Sequence, residues 1–192
     1  MLAYVFWHWH NSQIDSDRYQ EALKGFHQTL SAHKPAGFHY SRVLQMERFP
    51  WLGREEETYE DWYIVENMAA LDPLNEGAVG GVRLEPHNRV ARWTEGGTAG
   101  LYKLRSGEER LPLVRFSYRF NKPAGISYAA FYDLLQPIAE QQAGNLWIRQ
   151  MTLGPGPEFC WQSTEETALP DALQATKLPV QQIWFSTHKM SI

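Results

Sequence analysis

The chain has 192 residues, enough for one large domain or two of roughly 90–100 residues each. Hydrophobic residues make up 43% and aromatic residues 14%, so a core can be buried and a disordered chain is excluded. The formal net charge is −4 with both signs interspersed, which excludes a basic stripe for nucleic acid or anionic lipid, and no apolar run approaches the ~18 residues that span a bilayer.

The N-terminus runs from Met1 straight into β-branched and aromatic residues, with no basic region or small-residue cleavage site. It reads as a strand over Ala3 to His10 and not as a signal peptide. Asn11 to Asp17 is a loop in which Asp15, Ser16 or Asp17 can cap a helix. Tyr19, Leu23, Phe26 and Leu30 then recur at spacings of four, three and four, the apolar face of that helix, which Pro35-Ala36-Gly37 ends.

Phe38 to Met46 is the second strand, a charged connection covers Glu47 to Thr58, and Glu60 to Glu66 is the third strand. Asp72-Pro73 reads as a cap followed by proline at the first helical position, with Leu74, Ala78 and Val79 toward the sheet. His87 to Trp93 adds one or two helical turns. Ala99 to Arg105 is the fourth strand, entered through Gly96-Gly97.

The second part repeats this order. Val114 to Phe120 is a strand, and Ser127 caps a helix whose face is Tyr128, Phe131, Leu135 and Ile138, with a kink expected at Pro137. Leu146 to Leu153 and Phe159 to Ser163 are strands, Leu169 to Ala175 a short helix, and Val180 to Ser186 the last strand. Phe6, His8, His10 and Asn11 align with Phe116, Tyr118, Phe120 and Asn121. Tyr19, Leu23 and Phe26 align with Phe131, Leu135 and Ile138, and Gln45-Met46 with Gln150-Met151. The expected division is 1–106 and 113–192 with a linker at 107–112. Each half reads as a strand–helix–strand–strand–helix–strand unit in an α+β fold, an order that resembles the ferredoxin-like βαββαβ unit. A four-stranded sheet with helices on one face leaves its other face bare, so the two sheets are expected to pack together.

Two such units in one chain resemble the dimeric α/β-barrel superfamily, which includes antibiotic-biosynthesis monooxygenases, haem-degrading monooxygenases, stress-responsive barrel proteins and chlorite dismutases. The resemblance rests on element order and on the strand from Trp62 that leads through Asn67 into a helix. It implies a single-chain version of the usual dimer. The function implied is a cofactor-free monooxygenase or isomerase acting on a small aromatic or polyketide-like molecule in the barrel. The alternatives are a non-catalytic, stress-related or ligand-binding barrel, and a haem or metal protein. Haem-degrading members place an Asn on the first strand, a Trp on the third and a His on the next helix, for which Asn11, Trp62 and His87 are the loose counterparts here.

Among candidate sites, His8 and His10 are two apart on a strand and can converge on a metal if Asp61, His39 or Glu66 supplies a third ligand. The alternative is plain hydrogen bonding, which the repeat favours. Trp7 and Trp9 share the opposite face with the counterparts Ser117 and Arg119. Arg149 and Gln162 could join them, and such an interior could hold a flat, anionic or carbonyl-bearing ligand. An internal salt bridge is the competing reading of the arginines. Tyr63, beside Asp61 and Glu66, is a further acid–base candidate, so the catalytic candidates are His8, His10, Tyr63 and Arg119. Cys160, the single cysteine, excludes an intramolecular disulfide, fits a cytoplasmic chain and reads as a small buried hydrophobe. No cofactor is required, and a monomer or a homodimer is expected.

Overall fold

The computed structural model describes residues 1–186, so the stretch 187–192 of the expected second half lies outside the described residues. The elements are β1 (Leu2–His10), α1 (Ser16–Ala32), β2 (Phe38–Met46), β3 (Thr58–Val65), α2 (Leu71–Ala78), α3 (Leu84–Trp93) and β4 (Thr94–Gly107). They continue with β5 (Phe116–Phe120), α4 (Tyr128–Gln141), β6 (Gly144–Thr152), β7 (Phe159–Ser163), β8 (Thr176–Pro179) and β9 (Gln181–Phe185). Asp15 caps α1 by accepting from the Arg18 amide at 2.8 Å, and Ser127 caps α4 by accepting from the Ala130 amide at 3.1 Å. No helix of the described residues is long and apolar enough to cross a membrane.

The nine strands of the described residues form one antiparallel sheet in the order β8-β5-β7-β6-β4-β1-β3-β2-β9. Its two ends, β8 and β9, are separated in sequence by Val180 alone. One bent segment therefore pairs with β5 at its start and with β2 at its end, and the sheet curls into a nearly closed barrel. The fold is α+β, with helices outside and a packed interior.

That interior is built by alternation. Val5 and Trp7 from β1, Leu44 from β2, Trp62 from β3, Tyr102 from β4 and Trp147 from β6 point inward and are all but fully buried. Outside, α1 and α2 cover the β1 and β3 face through Phe26, Leu30 and Leu74. The α4 face packs Phe131, Leu135 and Ile138 on β5, β6 and β7.

Several element boundaries differ from expectation. The fourth strand begins at Thr94 and not Ala99, so Gly96 and Gly97 lie inside it. They are there because aromatic rings cover them: a Cβ at Gly96 would meet the Trp9 ring at 2.6 Å, and one at Gly97 would meet Phe6 at 2.6 Å. The turn expected at His87 is part of a ten-residue helix. The expected helix at Leu169 to Ala175 is only the 3₁₀ turn Asp171–Leu173, ended by Gln174 in a left-handed conformation. The fifth strand starts at Phe116, two residues late, and Pro137 stays within a helix that runs on to Gln141.

Candidate functional site

The main apolar pocket lies outside the barrel, between the sheet and the helices of the N-terminal part, with a volume of about 440 Å³. Tyr4 and Phe6 from β1, Tyr63 from β3 and Leu101 from β4 form its floor. Phe26 from α1, Leu74 and Ala78 from α2 and His87 from α3 form its roof. Met151 and Leu153 stand at the edge, 52% and 78% exposed, so the mouth is itself apolar. His87 is the one imidazole in the lining, edge-on to the Phe26 ring with centroids 5.8 Å apart.

Behind the pocket wall a buried polar network begins at Tyr63. Its hydroxyl donates to Asp61 Oδ2 at 3.0 Å. Asp61 is sandwiched between two imidazoles, with His8 Nε2 3.1 Å from Oδ1 and His27 Nε2 3.1 Å from Oδ2. The two Nε2 atoms meet Asp61 at these distances outside ideal hydrogen-bond geometry. The other nitrogens are also engaged: His8 Nδ1 with the Tyr19 hydroxyl at 2.8 Å, and His27 Nδ1 with Ser41 Oγ at 2.9 Å. Burial by itself would raise the Asp61 carboxyl, but the two imidazoles outweigh it and hold the group well below the usual carboxylate range. Burial, and then the neighbouring Asp61 charge, push the Tyr63 phenol well above its ordinary value.

The barrel interior is filled by large side chains, among them charged groups that are only partly paired. Glu60 accepts from the indoles of Trp7 at 2.7 Å and Trp62 at 3.0 Å, and forms an ion pair with Arg119. Arg119 also donates from Nε to Ser117 Oγ at 3.2 Å. Arg42 donates from Nη1 to Gln162 Oε1 at 3.2 Å and from Nη2 to the Leu111 carbonyl. Burial pushes the Cys160 thiol up to about 11.

No family model matches the sequence, and no curated protein matches it. Among solved structures the chain is similar to an anthrone oxidase-like protein, with a TM-score of 0.58 at 8% identity over 100% of this chain and 94% of that one. It is also similar to a candidate monooxygenase of Lactobacillus acidophilus NCFM, with a TM-score of 0.53 at 9% identity over 97% and 96% of the two chains. The fold is that of the dimeric α/β barrels.

Within this barrel the residues singled out from sequence fall into separate places. Trp7, Arg119 and Gln162 share the interior. Trp9 lies at the rim, under the guanidinium of Arg54 at 4.1 Å. Arg149 donates to the Gly156 carbonyl in the loop after β6. His10 contacts the Asn11 carbonyl at 2.9 Å and Glu57 at 3.3 Å and packs on the Tyr19 ring with centroids 5.1 Å apart, whereas His8 engages the Tyr19 hydroxyl and Asp61, so the two imidazoles have different polar partners. Tyr63 is the catalytic candidate that lines the apolar pocket.

The residues do not fit the haem arrangement. Trp62 points into the barrel onto Glu60, and the Asn11 side chain accepts from the Gln13 amide, so of the three counterparts only His87 reaches the pocket. His27 and Glu60 went unseen in the sequence. The available signal for His27 was its position on the apolar face of α1, between Leu23 and Leu30, where a polar side chain needs a buried partner.

Proposed function

We propose that the protein takes a flat aromatic, polyketide-like molecule into the apolar pocket between the sheet and helices α1 to α3, and that it acts there as a cofactor-free monooxygenase. The observation that carries this reading is the pocket itself: about 440 Å³, walled by aromatic and aliphatic side chains, with one imidazole, His87, in the lining. Such a volume is within the range of small-molecule sites, and such a wall desolvates a ring system while a single base handles the proton. The fold shared with an anthrone oxidase-like protein and a candidate monooxygenase agrees with this class of chemistry.

For an anthrone the step balances without a cofactor. His87 takes a proton from the activated methylene carbon, and the resulting carbanion reduces molecular oxygen. Loss of water then leaves the quinone: anthrone plus O₂ gives anthraquinone plus H₂O. Tyr63 serves as a wall, because its hydroxyl is committed to Asp61. An isomerase would use the same proton abstraction without oxygen.

The test is oxygen uptake with anthrone, followed together with anthraquinone absorbance. Saturable turnover that falls at least tenfold in His87→Gln, and is abolished when Ala78→Trp fills the pocket, is expected. Uptake equal to buffer, with no saturable binding of anthrone, would sink the reading. Binding without uptake would favour the second reading, a non-catalytic ligand carrier, which the high phenol pKa of Tyr63 and its bond to Asp61 also suit.

A further inference from the structure

A second cavity, of about 590 Å³, opens at the barrel mouth beside Arg119 and shares no lining residue with the apolar pocket. Trp51, Lys122, Pro50 and Pro157 stand around it. Arg119 is 1% exposed, and its guanidinium is incompletely used. Nε serves Ser117 and Nη2 serves Glu60, while Nη1 has no partner. The Trp51 ring centroid lies 5.4 Å from the Arg119 guanidinium carbon, and the Trp51 indole nitrogen is likewise buried without a partner.

The charge balance points the same way. Arg42, also inside the barrel and 3% exposed, faces no carboxylate among the described residues. The interior thus sets two guanidiniums against one carboxylate, Glu60. Lys122 adds a cation at the mouth and donates only to the carbonyls of Pro123 and Ile126. Further donors inside, Gln162 Nε2 and Trp147 Nε1, also lack acceptors. A buried surplus of positive charge and N–H groups is costly unless an anion or acceptor meets it.

We propose that the barrel mouth binds a small planar carboxylate, which accepts from Arg119 Nη1 and the Trp51 indole and lays its apolar part against Pro50 and Pro157. The cavity is distinct from the proposed substrate pocket, so the inference stands apart from that reading.

Benzoate and its neutral isostere benzamide separate charge from shape. At constant ionic strength, the Trp51 indole cross-peak in a ¹H–¹⁵N spectrum, assigned through Trp51→Phe, is followed during titration. Benzoate is expected to shift it saturably, with benzamide at least tenfold weaker. Arg119→Lys keeps a cation for Glu60 and removes the spare nitrogen, and should weaken benzoate at least tenfold. Absence of a saturable benzoate shift, equal binding of benzamide, or full affinity in a folded Arg119→Lys protein would each overturn the proposal. Should that variant not fold, the benzoate–benzamide comparison on the unaltered protein decides alone.

Discussion

Glu60 and Asp61 are neighbours in β3, lie on opposite faces of the sheet and are both buried, each met by a different set of partners. Glu60 looks into the barrel at Arg119 and two indoles, and Asp61 looks toward α1 at two histidines and a tyrosine. One strand thus holds the barrel interior and the helical layer in register through two adjacent charges.

Replacing Asp61 by Asn removes the negative charge and one of the two oxygens that His8, His27 and Tyr63 share, and turns an NH₂ group toward one of them. Asp61→Asn should cost about 3–5 kcal/mol at neutral pH, as for other broken buried pairs. The folded carboxyl is held below its unfolded value, so its stabilisation is fully present above the unfolded pKa of about 4 and is lost as the pH falls below it. Urea unfolding of both proteins should therefore show a gap at pH 5 that narrows at pH 3.

Glu60→Ala strands Arg119 and two indole N–H groups inside the barrel. A loss of about 3–5 kcal/mol is expected by urea unfolding. The double change Glu60→Met with Arg119→Met should recover part of it, because the charge is gone while the indoles of Trp7 and Trp62 still lack their acceptor.

Two glycines should respond in opposite directions. A Cβ at Gly97 would sit 2.6 Å from the Phe6 ring and 2.7 Å from the Trp7 carbonyl oxygen, and the carbonyl cannot step aside. Gly97→Ala should lose about 1–3 kcal/mol through overpacking. Gly25 lies within α1 with nothing within 4 Å of a new Cβ, so Gly25→Ala should gain about 0.5–1 kcal/mol in thermal or urea melts.

Cys160 is fully buried and its thiol is pushed up to about 11, so little thiolate forms near neutrality. An aromatic disulfide reagent at pH 8 should leave it intact in the native protein and modify it fully in guanidinium. Rapid native reaction would show that the barrel opens at this strand.

The strands and α1 were legible because their periodicities, two and near 3.6, survive in the finished packing. Alternation along β1 and β5 placed Trp7 and Arg119 on corresponding faces, but which face turns inward is set by the closure of the sheet. What stayed hidden depends on contacts between distant segments. Gly96 and Gly97 read as a turn until Trp9 and Phe6 are known to lie over them. The apolar pocket draws Tyr63, His87 and Met151 from three separate elements, and no spacing in the chain relates them. The Asp61 network joins positions 8, 27 and 61, a relation set by strand pairing and by the docking of α1.

The bent segment that carries β8 and β9 follows, in sequence, every strand that it joins. A chain emerging from the ribosome therefore presents β2 and β5 as open edges until residues 176–185 are free to add to them. Barrel closure in this sense waits on the last two strands of the sheet, and for that interval both edges are open to pairing with a neighbour.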